Sequence, residues 1–163
     1  MLTDKAIQDF VDANNIDGKL VYCEEETPTV ADSARLLGVE AEQIVKSLVF
    51  LANGEPHLVI AAGEVRVSTK RLRDVLDVSR KKLRMARPDE VLEITGFPVG
   101  AMPPFGHKEK LPTWIDSFSV PDDAEQLFGG GGTRSAMLEL SSHTLLAVTQ
   151  GTYLPLSISE RDK

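Results

Sequence analysis

Residues 1–163 read as one α+β domain, with helices packed around a mostly antiparallel or mixed sheet. Three observations carry this expectation. Extended stretches alternate irregularly with stretches of helical period, without the even spacing of a doubly wound sheet. Two of the extended stretches flank Asn53-Gly54, a dipeptide suited to tight hairpin turns. The composition, 42% hydrophobic and 26% charged, is that of a folded chain able to bury roughly two thirds of its unfolded surface in one core.

Taken in order, residues 4–14 place Ala6, Ile7, Phe10 and Val11 at helical spacing, which predicts an amphipathic helix ending near Asn14-Asn15. Residues 19–23 are short and extended. Thr29 is placed to cap a second helix, with Asp32 three residues on, an apolar set of Val30, Ala34 and Leu37, and Gly38 at its stop. Residues 44–52 and 57–62 form the hairpin, and Glu55 and Pro56 leave its closure open. Ser68 caps a helix through Leu72, Val75 and Leu76, and Pro88 opens another that stops at Gly96. Then follow a loop, a strand over 113–119, a flexible turn at 129–132, a strand over 136–140, a helix from Ser141 or Ser142 through Val148, and a last strand over 153–158.

The loop is the chain's organising feature. Its sequence, Gly96-Phe-Pro-Val-Gly-Ala-Met-Pro-Pro-Phe-Gly-His107, suits neither a helix interior nor a central strand, because proline lacks a backbone donor and glycine loosens the chain. Gly100 and Gly106 permit positive φ or close backbone approach, while Pro98, Pro103 and Pro104 restrict the conformations between them. Such a loop either connects two elements or presents main-chain groups to a ligand. Lys46 is the second feature, the one charge on a strand face shared with Ile44, Leu48 and Phe50. Burying an unpaired ammonium is costly, so Lys46 must snorkel, pair with a carboxylate, or face a cleft that takes an anionic ligand.

Net charge is −7, which argues against broad coating of nucleic acid and gives no expectation of a DNA partner. Yet nine of the eighteen Lys and Arg residues fall between Arg66 and Arg87, against only Asp74 and Asp77. A basic stripe on an acidic body suits a limited anionic partner such as a strand end, or is a solvated face. No signal-peptide region or membrane-length apolar run is seen, and one cysteine allows no internal disulfide, so the expectation is a cytoplasmic protein. Gly129–Gly132 lacks the Gly-Lys-Ser/Thr ending of a nucleotide phosphate loop. His57, His107 and His143 lack metal-ligand spacing, no Gly-x-Ser-x-Gly elbow occurs, and Cys23 reads as a small buried hydrophobe.

The lysine strand Ile44-Val-Lys-Ser-Leu48, the Gly100-Ala-Met-Pro-Pro104 loop with Phe105-Gly106, Trp114-Ile-Asp116, and the glycine-rich turn leading to Leu138-Glu-Leu140 together resemble the YbaK and prolyl-tRNA-synthetase-associated editing family. The resemblance runs from about Thr27 to Ile158. It implies a curved mixed sheet surrounded by helices, and a cleft between the lysine strand and the Gly-x-x-x-P loop. It also implies hydrolysis, without metal or cofactor, of the ester of a mischarged tRNA, in particular a tRNA-Pro carrying a wrong small amino acid. The tRNA 3′ end is then the ligand, with an aminoacyl-tRNA synthetase as a further partner. The expected catalytic residues are Lys46, Gly100 and His107, and the expected substrate-binding residues are Ala101, Met102, Pro104, Gly106, Asp116, Gly130 and Gly131. Ala101-Met102-Pro103 departs from the small residues that relatives often carry there.

The chemistry of the residues is compatible. An aminoacyl ester is already activated, so a site needs chiefly to orient the carbonyl, stabilise the oxyanion and place water. Loop amides from Gly100 to Met102 can donate to the carbonyl, Lys46 supplies positive charge, and His107 is either a base or a bystander. The rival readings are a tRNA- or nucleotide-binding module without hydrolysis, and a hydrolase of another small ester.

Overall fold

The computed structural model describes residues 1–159. The described elements are α1 (Asp4–Ala13), β1 (Gly18–Tyr22), α2 (Val30–Leu37), β2 (Val45–Ala52), β3 (Glu55–Ala62), β4 (Val65–Val67), α3 (Thr69–Leu76), β5 (Leu83–Met85), α4 (Pro88–Thr95), β6 (Thr113–Asp116), β7 (Leu127–Gly130), β8 (Ala136–Leu140), α5 (Ser142–Thr149), β9 (Thr152–Leu154) and β10 (Ser157–Ser159). The strands form a five-stranded sheet ordered β5-β2-β3-β6-β9, a three-stranded sheet β1-β8-β7 and a pair β10-β4. Pairing is antiparallel except for β3 with β6 and β6 with β9, so the α+β, mostly antiparallel architecture expected from the sequence is the one found. No helix among the described residues is long and apolar enough to cross a membrane.

Local chemistry sets the helix ends. The side chains of Thr29, Ser68 and Ser141 accept from the N–H of Asp32, Arg71 and Thr144, satisfying donors that a first turn leaves open. Gly38 and Gly96 close α2 and α4 in the left-handed conformation. The β2–β3 hairpin closes directly on Asn53 and Gly54, at φ 51° and 81°, with Ala52 opposite Glu55. Pro56 is therefore inside β3, opposite Leu51. It is tolerated because pairs in an antiparallel ladder alternate, and the pair one step from the turn exchanges no hydrogen bonds.

The period of two along the hairpin divides the core. Val49, Leu58, Ile60 and Ala62 pack with Ile7, Val11, Phe97 and Leu145. Phe50, Ala52, Val59 and Ala61 pack with Leu72 and Leu156 on the opposite face. The central sheet is thus covered on both sides.

Four expectations are corrected. The glycine-rich segment is not a flexible turn: Gly129 and Gly130 lie in β7, paired with Leu138 and Met137. Glycine is needed there for closeness, since a Cβ on Gly130 would lie 2.2 Å from the Met102 carbonyl oxygen. The strand over 113–119 ends at Asp116, whose side chain turns the chain by accepting from the Phe118 N–H and the Ser119 hydroxyl. The strand over 153–158 is broken into β9 and β10, which join different sheets, with the Leu156 N–H diverted to Asp116. Finally, β4 and β5 are strands of three residues that a sequence period cannot register.

Candidate functional site

The short length of β5 creates the site. It pairs with β2 only over Phe50–Ala52, and the Ala86 N–H reaches the Val49 carbonyl at 3.0 Å. Nearer its start, the edge of β2 borders a cavity of about 590 Å³, lined by Val45 to Val49, by Thr27 to Val30 at the start of α2, by Met85, Ala86 and Pro88, and by Val99, Gly100 and Met102 of the central loop. The ladder alternation fixes which backbone groups face it. The Ile44 carbonyl accepts from Gly63 toward β3, and the Val49 carbonyl points away from β3, so the intervening odd residue Ser47 presents its N–H and C=O to the open edge.

The cavity floor is apolar. Ile44, Val45, Val91, Met102 and Met137 are buried there. The buried hydroxyls are committed to carbonyls, Thr27 Oγ1 to Arg134 O at 2.9 Å and Ser33 Oγ to Thr29 O at 3.1 Å. Lys46 is the one charged side chain among the described lining residues. It is half-buried, and its Nζ donates to the Val65 carbonyl of β4, which holds the ammonium at the cavity's edge.

The loop contributes backbone. Gly100 has φ 92° and is exposed beside Arg134, with an added Cβ 3.4 Å from its Nε. The Ala101 N–H donates to Pro98 O, and the Ala101 carbonyl accepts from Gly132, so this residue is spent on holding the loop. The N–H groups of Gly100 and Met102, on either side of it, have no hydrogen-bond partner among the described residues.

The structure therefore brings Lys46, Gly100, Met102 and Gly130 to one cavity, and places the other expected residues elsewhere. Pro104, Gly106 and His107 line a separate cavity of about 400 Å³ against Phe10 and Val148. His107 Nε2 donates to Pro103 O at 2.8 Å, and burial pushes its imidazole below the usual range although that carbonyl pulls the other way. Gly131 packs on Ala136, where a Cβ would lie 2.6 Å from its carbonyl. Asp116 is fully buried and accepts from the Leu156 and Ser157 N–H groups at 2.9 and 3.0 Å. Burial raises its pKa, but the bonds from Ser119, Ser157 and Leu156 win and hold it below the ordinary carboxylate range. Its task is to join β6 to the chain leading into β10. Cys23 packs beside Ile44 and Met137, and burial pushes its thiol up, away from nucleophile chemistry.

Sequence reading missed Thr27, Ser33, Ser47 and Met137 as lining residues. Ser47 sits in the lysine strand but only its backbone faces the open edge, Thr27 and Ser33 have no distinguishing pattern, and only pairing of β1 and β7 with β8 brings Met137 under α2.

The model of the aminoacyl-tRNA editing domain family matches residues 24–148. The chain is 31% identical over 132 residues to the uncharacterized protein YwhH of Bacillus subtilis (strain 168), covering 80% of this chain and 81% of that one. It is 34% identical over 88 residues to the proline–tRNA ligase of Citrifermentans bemidjiense, a match that takes in 54% of this chain and 15% of the much longer ligase. A crystal structure described as a candidate trans-editing enzyme for prolyl tRNA synthetase superposes with a TM-score of 0.86 at 29% identity, covering 96% of this chain and 97% of that one.

Proposed function

The chain belongs to the aminoacyl-tRNA editing domain family, and from that premise we propose that it is a trans-acting deacylase, hydrolysing the ester of a tRNA-Pro that carries a wrong small amino acid. The observation that supports this reading is the single cavity in which a strand edge, a lysine and two unpartnered loop amides converge. The esterified adenosine lies along the edge of β2, and the acyl side chain enters the apolar floor. Water adds to the acyl carbon, the carbonyl oxygen becomes an oxyanion facing the Gly100 and Met102 N–H groups, and the ester C–O bond then breaks. One proton of the water goes to the departing ribose oxygen and the other to solvent. Oriented donors of this kind are worth about 10²–10³ in rate each. Lys46 supplies positive charge to the phosphate or the oxyanion. Neither His107 nor Asp116 enters the proposed chemistry, because neither lines the cavity.

The test is deacylation of alanyl-, cysteinyl-, seryl- and threonyl-tRNAs beside correctly charged prolyl-tRNA. Release of at least one small amino acid with prolyl-tRNA spared is the expected result. Tight binding without release would establish a binding module, and hydrolysis of simple esters alone would establish a small-molecule hydrolase.

A further inference from the structure

The basic run between Arg66 and Arg87 is not one surface. On α3, Arg71 donates to Ser157 O at 2.8 Å and stacks over Phe118, and Lys70 pairs with Asp74 at 3.3 Å. Arg84 is gripped by both oxygens of Glu90, at 2.7 and 2.9 Å, and Glu90 also accepts from the Arg87 N–H that opens α4. That pair is neutral and serves the fold. Arg87 pairs with Asp89 and Glu90 and Arg73 donates to Thr69 O, whereas Arg80, Lys81 and Lys82 are exposed together on a 3-10 turn. The Asn53 N–H donates to the Lys82 carbonyl at 2.9 Å, which pins this turn to the tip of the β2–β3 hairpin. Between turn and tip lies a cleft of about 230 Å³ lined by Leu51, Asn53, Gly54, Lys81, Lys82 and Arg84.

β5 runs from that cleft to the candidate active cavity, since Lys82 precedes it and Met85, its last residue, lines the cavity. At about 3.3 Å per residue the two ends lie on the order of 10 Å apart, the rise of about three stacked nucleotides at about 3.4 Å each. We infer that the Lys81–Lys82 cleft holds a backbone phosphate of the single-stranded tRNA 3′ end, about three nucleotides before the esterified adenosine, so that β5 sets the depth to which the strand enters the cavity. This rests on the proposed deacylase reading for the position of the adenosine. The cleft contributes no chemistry. Its charge is concentrated where one phosphate fits, which suits a strand end better than a duplex lying along the acidic body.

The experiment measures binding of uncharged single-stranded RNA oligonucleotides with the tRNA 3′ sequence, one to six nucleotides long, to the full chain and to the double variant Lys81→Ala/Lys82→Ala. For the wild type, affinity should step up several-fold when the strand reaches about four nucleotides, and the step should vanish in the variant. The slope of log affinity against log salt for the longer strands should fall by about 0.7 for each phosphate that the variant no longer neutralises. A second readout compares release of the amino acid from charged tRNA and from an aminoacylated adenosine: the variant should lose on the first and match the wild type on the second. A smooth rise of affinity with length in both proteins, or equal losses on both substrates, would overturn the inference. Failure of both proteins to release any amino acid from either substrate would sink the deacylase reading, while the length step would still decide the cleft.

Discussion

Gly100 and Gly106 lie six residues apart in one loop, both at positive φ, 92° and 81°, yet they answer to different constraints. Gly100 is exposed at the cavity, where its nearest neighbour is the flexible Arg134 side chain. Gly106 is pressed onto α1, where a Cβ would lie 2.9 Å from Ile7 Cδ1. Between them Phe105 is buried against Phe10, ring centroids 5.7 Å apart, and ahead of Gly100 Phe97 is fully buried beside His107. One half of the loop is anchor and the other half is site. The anchor is what makes the site rigid: oriented amides are useful only if the chain carrying them cannot relax away from the reacting oxygen.

The largest effect is expected across the cavity from the loop. Lys46→Met keeps the apolar stem and removes the ammonium, and deacylation should fall by about 10²–10³. Stability should drop by about 1 kcal/mol, because the bond to the Val65 carbonyl is no longer made. Single-turnover rates beside melting curves check this, and a large melting shift with normal turnover would move Lys46 to the anchor side of the comparison.

Gly100→Val should be next, costing about a hundredfold in rate through displaced amides, with about 1–3 kcal/mol of strain from its positive φ. Gly106→Val should invert this pattern. It adds backbone strain to a clash with Ile7, so a loss of about 2–5 kcal/mol in unfolding free energy is expected, with near-normal turnover in the fraction that folds. If the two valine variants behaved alike, the division of the loop into anchor and site would fail.

The smallest effect concerns His107, and it is a pH dependence of stability. Burial holds its folded pKa below the unfolded value of about 6.5, so the unfolded chain takes up the proton first. The neutral form's contribution is complete above that value and is lost as the pH falls below it toward the folded pKa. His57 shifts in the same direction, burial again the main cause, with its Nδ1 accepting from Trp114. His107→Asn should therefore flatten, without abolishing, the fall in melting temperature between about pH 7 and about pH 5. It should leave the pH profile of deacylation unchanged. A changed activity profile would restore His107 as a base.

Much of the fold was legible in the sequence because its signals are short-range. Thr29 with Asp32, Ser68 with Arg71, and Asn53-Gly54 act within about four residues of chain, so their chemistry is complete in a local window. The loop's proline and glycine spacing and the odd charge of Lys46 were likewise visible, and four of the expected residues, Lys46, Gly100, Met102 and Gly130, do line one cavity. What each residue touches was not visible. The Val65 carbonyl that holds Lys46 is nineteen positions away, the Leu156 N–H that Asp116 accepts from is forty residues downstream, and the need for glycine at 130 is set by the Met102 carbonyl. The sequence by itself determined where helices start, where the hairpin turns and which loop is stiff, because those depend on backbone preference and neighbouring donors. Only the tertiary structure decided that Gly100 borders a cavity while Gly106 and His107 pack behind it, because which side of a loop meets solvent is settled by distant elements that compete to bury it.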